Sequence, residues 1–381
     1  MPQIRITEFG PITQGFSLND GFLKVRDVTV FIGPQGAGKS TAAKLISTFS
    51  WLEKICMSQD MQGDLTTSYF ISLLDYHQIT SYLRKETEII YKGDCYQFSY
   101  VKEQFSAKKI ADNYVRPKVL YIPADRSFCT SIRNPTRVAG LPRNTLEFLA
   151  DFVDAELALG GKNYDLPVNG FSFRYDENSK ESFIRDDHKN YEIETFSASS
   201  GLQSVTPLTL TTAYYSYLLE KSPQNIISLD QIRAVKSKLD PALIINSRLI
   251  NIVEEPEQNL FPESQADVLY YLLRCKNATQ PQSAYKNSLL ITTHSPYIIE
   301  ALNNSIYAQR LRSSGKDIHN LLRDEELVAY DAVAAYKFAD GKIESIKNDA
   351  LQQIDAEYLD SCSERIRDTY SKLEDIEFEA T

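Results

Sequence analysis

Apolar positions open the chain in alternation, Ile4-Arg5-Ile6, and then close into an unbroken run over residues 28–32. Alternation predicts a strand with one buried face, and an unbroken short run predicts a strand buried on both. A Gly-rich turn and a helix over about 39–55 follow. Residues 65–84 read as helical, and 87–101 as a hairpin turning at Gly93-Asp94. A further buried strand over 119–122 ends at Pro123. Asn144 is placed to cap a helix whose apolar residues Leu146, Leu149, Val153 and Leu157 recur at helical spacing, with Gly160-Gly161 to stop it. Residues 168–196 alternate as short antiparallel strands. The stretch 195–219 carries no charge, is rich in Ser, Thr and Tyr and contains Pro207, which reads as the start of a buried helix. Strands return at 244–254 and 288–293.

Beyond about residue 305 the chain grows polar and is expected to end in a helix. Its apolar stripe is Ile354, Tyr358, Cys362, Ile366, Tyr370 and Leu373, at spacings of three and four. From Glu344 onward there are eleven acids and four bases, which makes the outer face of that helix acidic. Such a helix caps its own domain or docks a partner. No internal repeat or heptad run is present, so no long coiled-coil arm is expected. Strands interleaved with helices predict an α/β fold with a mixed β-sheet core.

Composition narrows the function classes. The formal charge of −10 opposes broad nonspecific binding to nucleic acid. Residues 102–143 nonetheless hold nine Lys or Arg against Glu103, Asp112 and Asp125, an excess of six that reads as a solvated face or as a local basic surface. The five cysteines lie far apart without a C-x-x-C pair, as expected of free thiols in a reducing compartment. With no long apolar span and no basic-then-apolar leader, the chain is expected to be soluble and cytoplasmic, without a membrane partner.

Four stretches carry chemistry. Gly33, Pro34, Gln35, Gly36, Ala37, Gly38, Lys39 and Ser40 fit G-x-x-x-x-G-K-[ST] between an apolar strand and a helix. Glycines let backbone N–H groups wrap phosphates, Lys39 adds a point charge, and Ser40 offers a hydroxyl to Mg²⁺, with Thr41 beside it. The strand 249–253 delivers Glu254 and Glu255 to its C-terminal end, where Pro256 stops it. Such a pair suits a division of labour, Glu254 for the Mg²⁺ shell and Glu255 for the attacking water. His294 ends the strand 288–293, beside two threonines and before Pro296, and reads as a γ-phosphate sensor or as a satisfied polar group. Ser199, Ser200, Gly201 and Gln203 form a turn at a helix N-terminus, which either binds an anion or is only a cap.

In this order the four motifs resemble the ATPase head of the ABC superfamily, in its SMC, RecF and OLD branch, over roughly residues 1–310. The most specific marks are ITEFGPI, EEPEQNLFP and THSPYIIEALNN. The resemblance implies a P-loop head with ATP and Mg²⁺ as cofactors, an insertion of helices and strands over about 56–196, and an extension over 311–381. It implies that residues 33–41 bind ATP, that Glu255 and His294 are catalytic, and that Ser40 and Glu254 hold the metal. The signature turn Ser199, Ser200, Gly201 and Gln203 would contact ATP on a second copy, and 257–260 would cross the interface of a homodimer or larger oligomer. Three departures stand out: Glu254 replaces the usual Asp, Leu202 replaces a signature glycine, and no Q-loop glutamine is evident. Asp125 and Arg126 are the nearest equivalents, Arg126 being equally suited to a structural salt bridge.

The leading expectation is an ATP-hydrolysing molecular switch that controls a separate effector. OLD proteins carry a Toprim nuclease after the ATPase, and the roughly 70 residues beyond 310 are too few for that domain. By analogy with two-gene anti-phage systems such as PARIS, the effector would be a separate nuclease. The alternatives are a scaffold that stores an effector with little turnover, and a RecF-like repair ATPase that binds DNA.

Overall fold

The computed structural model describes residues 1–355 and 367–374, apart from 60–64, 133–134, 136–137, 139, 160, 162, 222–246 and 279–285. Its central sheet runs in the order β2 (Gly15–Phe16), β16 (Lys342–Ser345), β15 (Val333–Ala339), β4 (Val28–Ile32), β14 (Ser288–Thr293), β13 (Arg248–Glu254) and β8 (Pro117–Ile122). The strands from β15 to β8 are parallel, and β16 is antiparallel to β15, so the sheet is mixed. This is the α/β class expected from the pattern of apolar runs.

Period-two alternation sorts the side chains of these strands onto two faces. Val28, Val30, Ile32, Val253 and Ile291 face one core, which is closed by α4 (Arg143–Leu159), α5 (Ser200–Lys221), α6 (Pro262–Asn277) and α7 (Pro296–Ser313). Phe31, Ile250, Ile252 and Leu290 face the other, closed by α1 (Lys39–Gln59) and α2 (Thr67–Tyr76). The same core takes in a second, antiparallel sheet. Its order is β3 (Leu23–Lys24), β1 (Gln3–Thr7), β5 (Glu88–Lys92), β6 (Tyr96–Val101) and β7 (Gln104–Lys109). Phe49 of α1 stacks there on Phe70, Tyr91 and Phe98, with ring centroids 5.1–5.8 Å apart. Truncating a fully buried ring of this kind costs about 3–5 kcal/mol, and it would loosen the helix that begins at Lys39.

The insertion is built into both sheets. β5, β6 and β7 extend β1, and β8 pairs with β13 along its length. A short helix, α3 (Phe128–Ser131), and the meander β9 (Tyr164–Asp165), β10 (Phe171–Asp176), β11 (Glu181–Asp186) and β12 (Tyr191–Glu194) complete it.

Several sequence expectations are corrected. α4 buries Thr145, Phe148, Leu149, Phe152 and Ala155, while Leu146 and Leu157 are exposed. The rings of Phe148 and Phe152, with more area to bury, set the face together with Leu149, in place of Leu146 and Leu157. Asn144 lies inside that helix rather than capping it. Ile354 belongs to a short strand pair, β17 (Lys347–Asn348) with β18 (Gln353–Ile354), not to the terminal helix. Tyr370 and Leu373 are exposed on a helical stretch over 367–374, and Tyr358, Cys362 and Ile366 lie outside the described residues. The segment set apart beyond residue 310 supplies β15 and β16 to the central sheet. The basic stretch is not one surface: Arg116 and Arg126 are buried, and Lys118 pairs with Asp151 at 2.8 Å.

Among the described residues, no helix is long and apolar enough to cross a membrane. Cys56, Cys95, Cys129 and Cys275 are free thiols.

Candidate functional site

The turn over residues 33–40 joins β4 to α1. Gly33, Gly36 and Gly38 take φ values of 144°, 74° and 105°, which L side chains avoid. At Gly33 the constraint is also steric, since a Cβ would lie 2.1 Å from the Phe338 carbonyl oxygen of β15. The turn delivers Lys39 at the start of a helix, with the helix N-terminus facing the same space.

Lys39 is 4% exposed, and its ammonium donates to the carbonyls of Gly33 at 2.9 Å and Pro34 at 3.0 Å. Burial pulls its pKa down to about 8, against the opposing pull of Glu255, Glu257 and Glu254. Its Nζ lies 3.0 Å from Nε2 of His294, and that same Nε2 lies 3.3 Å from Oε1 of Glu255. One ring nitrogen therefore faces an ammonium on one side and a carboxylate on the other. It donates to Glu255 when protonated and accepts from Lys39 when not. The hydrogen bond from His294, reinforced by the nearby cations, holds the Glu255 carboxyl below its usual range despite partial burial.

Glu254 and Glu255 diverge at the end of β13. Glu254 shares the parity of Ile250 and Ile252, which face the α1 side of the sheet. It is 5% exposed, and its Oε2 accepts from the N–H of Ala124 at 3.1 Å. Oε1 is buried without a well-formed hydrogen bond, next to the Tyr121 hydroxyl, which burial and this carboxylate push well above the phenol range. Glu255 turns away through a left-handed φ of 42°, which is costly for a non-glycine residue and typical of functional sites. Its N–H donates to the Thr292 carbonyl of β14 at 2.8 Å.

The residues present fit a magnesium ion. The buried oxygen Oε1 of Glu254 has no well-formed hydrogen bond, and Ser40 follows Lys39 in the first turn of the helix that packs on the same face of the sheet. Magnesium is usually held by one or two carboxylates together with substrate phosphates and water. No cluster of three or more His, Cys, Asp or Glu that could hold a metal occurs among the described residues, and such a site needs none.

Two residues behind the site carry roles that motif reading did not assign. Glu257 is half-buried, and its Oε1 accepts from the N–H of His294 at 2.8 Å and from the Thr293 hydroxyl at 2.7 Å. It fixes the backbone that presents the imidazole, and burial raises its pKa. Arg126 is 0% exposed. Its guanidinium donates to the carbonyls of Glu254 at 2.6 Å, Glu255 at 2.8 Å and Ser204 at 3.0 Å. Burial pulls its pKa down to about 10, opposed by the acidic residues around it. Pro207 lies inside α5 and has no N–H, so the carbonyl four residues earlier lacks its helical donor. The Thr130 hydroxyl takes that carbonyl, Gln203 O, at 2.6 Å, and Arg126 takes the next one. Asp125 is exposed and accepts from Thr145 at 3.2 Å.

The turn opening α5 lies beside the segment that follows Glu255. A Cβ on Gly201 would sit 2.6 Å from the Asn259 carbonyl oxygen, so the two backbones touch. Ser199 and Ser200 are exposed, whereas the Gln203 amide turns inward and donates to the Phe196 carbonyl at 2.7 Å. Glu255, His294, Lys39 and the Gly-rich turn thus come together, and Glu254 lies at the end of the same strand. Ser199 and Ser200 form a separate exposed edge, and Asp125 and Arg126 serve neighbouring backbone and side chains.

No protein-family model and no curated protein matches the chain. Solved structures give loose matches. A head domain of an SMC protein bound to the C-terminal winged-helix domain of ScpA is 10% identical, with TM-score 0.41, covering 92% of this chain and 98% of that one. A Pyrococcus furiosus SMC head with an extended coiled coil, bound to the C-terminal domain of ScpA, is 9% identical, with TM-score 0.40, covering 96% and 100%. The SMC head of Thermotoga maritima is 11% identical, with TM-score 0.36, covering 90% and 97%. Likeness at this level assigns no role to any residue.

Proposed function

We propose that the chain binds ATP with Mg²⁺ and hydrolyses it between two copies of itself. The carrying observation is the chain of contacts Lys39–His294–Glu255, each within 3.3 Å, beside a strand–glycine turn–helix unit. Phosphoryl transfer needs positioning and charge stabilisation more than covalent chemistry. In this reading residues 33–41 hold the phosphates, with Lys39 on the β- and γ-phosphates. Glu255, kept ionised, orients water and accepts its proton. His294 reads the γ-phosphate. Ser40 and Glu254 would hold the magnesium ion, which supplies charge neutralisation to the phosphates when bound.

The second copy enters through the exposed turn at Ser199 and Ser200, which is placed to offer donors to ATP held on its partner. Hydrolysis would then open the pair. Control of a separate effector, such as a nuclease in anti-phage defence, rests on the family resemblance alone. Co-purification with the product of a neighbouring gene tests it.

The enzymatic reading is tested by phosphate release from ATP with Mg²⁺. Lys39→Ala is expected to lose ATP binding, whereas Glu255→Gln should keep binding and lose about a hundredfold or more in turnover. Undiminished turnover in Glu255→Gln would remove Glu255 from the mechanism.

A further inference from the structure

A cavity of about 170 Å³ opens between α1, α2, β8 and α4. Its α1 wall begins at Ser47, roughly 12 Å along the helix from Lys39, so it is separate from the phosphate turn. A cavity of about this size accepts a single six-membered ring.

The walls have a definite chemistry. Trp51, Tyr76 and Phe148 present aromatic surface, and Glu147 and Asp151 bring two carboxylates. Asp151 is neutralised by Lys118 at 2.8 Å, while Glu147 accepts from the Tyr76 phenol, a neutral donor. His77 also lines the space, and burial pulls its pKa down to about 3, so it adds no positive charge. Glu147 is exposed and, among the described residues, forms no ion pair; aromatic faces beside such an acid favour a cation that carries a ring.

We propose that this cavity binds a one-ring aromatic ammonium ion, its ring among Trp51, Tyr76 and Phe148 and its ammonium on Glu147. The site stands apart from ATP chemistry and is testable without nucleotide. It shares Tyr121 with the Glu254 carboxylate, which places any occupant one side chain from the end of β13.

Trp51 is the chain's single tryptophan, so its fluorescence reports on this cavity alone. Titrating the full chain with benzylamine should give a saturable change with one site per chain. Benzyl alcohol, the neutral counterpart, should bind about two- to fivefold more weakly, because an ion pair with an exposed carboxylate is lost. Glu147→Gln should weaken benzylamine by a similar factor and leave benzyl alcohol unchanged. Ser47→Leu, which fills the cavity, should abolish the response while circular dichroism shows the fold retained. The proposal is overturned by an unsaturable response, by equal binding of the two probes, or by an unchanged response in a folded Ser47→Leu chain.

Discussion

The ammonium of Lys39 stands 3.0 Å from Nε2 of His294, joining the residue that opens α1 to the residue that follows β14. Burial holds Lys39 near pKa 8 rather than at the usual lysine value. A phosphate ligand favours the charged form, so binding above that pH must take up a proton. ATP affinity should therefore fall as pH rises through about 8, by up to about tenfold per pH unit. Calorimetry in buffers of different ionisation enthalpy checks it. Proton uptake should appear above pH 8 in the wild type and be absent for any binding that Lys39→Ala retains.

His294→Ala separates binding from chemistry. Removing an acid–base partner costs about 10²–10⁴ in rate, while the phosphate turn and Lys39 remain, so ATP binding should change by only a few fold. The substitution also removes the hydrogen bond that lowers the Glu255 pKa. The acid limb of the pH–rate profile should consequently move to higher pH. A limb that stays in place would assign it to another group.

Arg126 is the residue whose loss should damage the fold most. Its buried guanidinium satisfies the carbonyls of Glu254, Glu255 and Ser204. Arg126→Met should lower stability by about 3–5 kcal/mol, from several orphaned acceptors of about 1–3 kcal/mol each. Urea denaturation measures it, and a loss below about 1 kcal/mol would mean that the carbonyls find other donors.

Gly201 tests the contact between the signature turn and the segment after Glu255. A methyl there meets the Asn259 carbonyl, so Gly201→Ala must shift one backbone or the other. ATP binding to the Gly-rich turn should survive, while ATP-dependent self-association should weaken by at least tenfold. Light scattering with and without nucleotide distinguishes the two.

What was legible in the sequence was local. The strand 28–32, the turn 33–40 and the paired glutamates are contiguous, and each carries its chemistry in its own spacing. Long-range consequences were not legible. β15 lies where the sequence reads only as increasingly polar, and its pairing with β4 brings it beside Gly33. In the sequence Arg126 reads equally as a Q-loop equivalent, by resemblance, and as a structural salt-bridge partner. Its burial is set by carbonyls from two distant segments, Ser204 on one and Glu254 and Glu255 on the other, which no pattern around 121–127 foretells. On α4 two apolar stripes were available, and packing chose the one bearing Phe148 and Phe152.

The most direct measurement is the mass in solution of the wild type and of Glu255→Gln, each with ATP and Mg²⁺. With water activation removed and Lys39 and the Ser199–Ser200 edge intact, Glu255→Gln should accumulate as a dimer that reverts to monomer without nucleotide. The wild type should show that dimer only transiently. A Glu255→Gln chain that binds ATP yet stays monomeric would contradict hydrolysis between two copies.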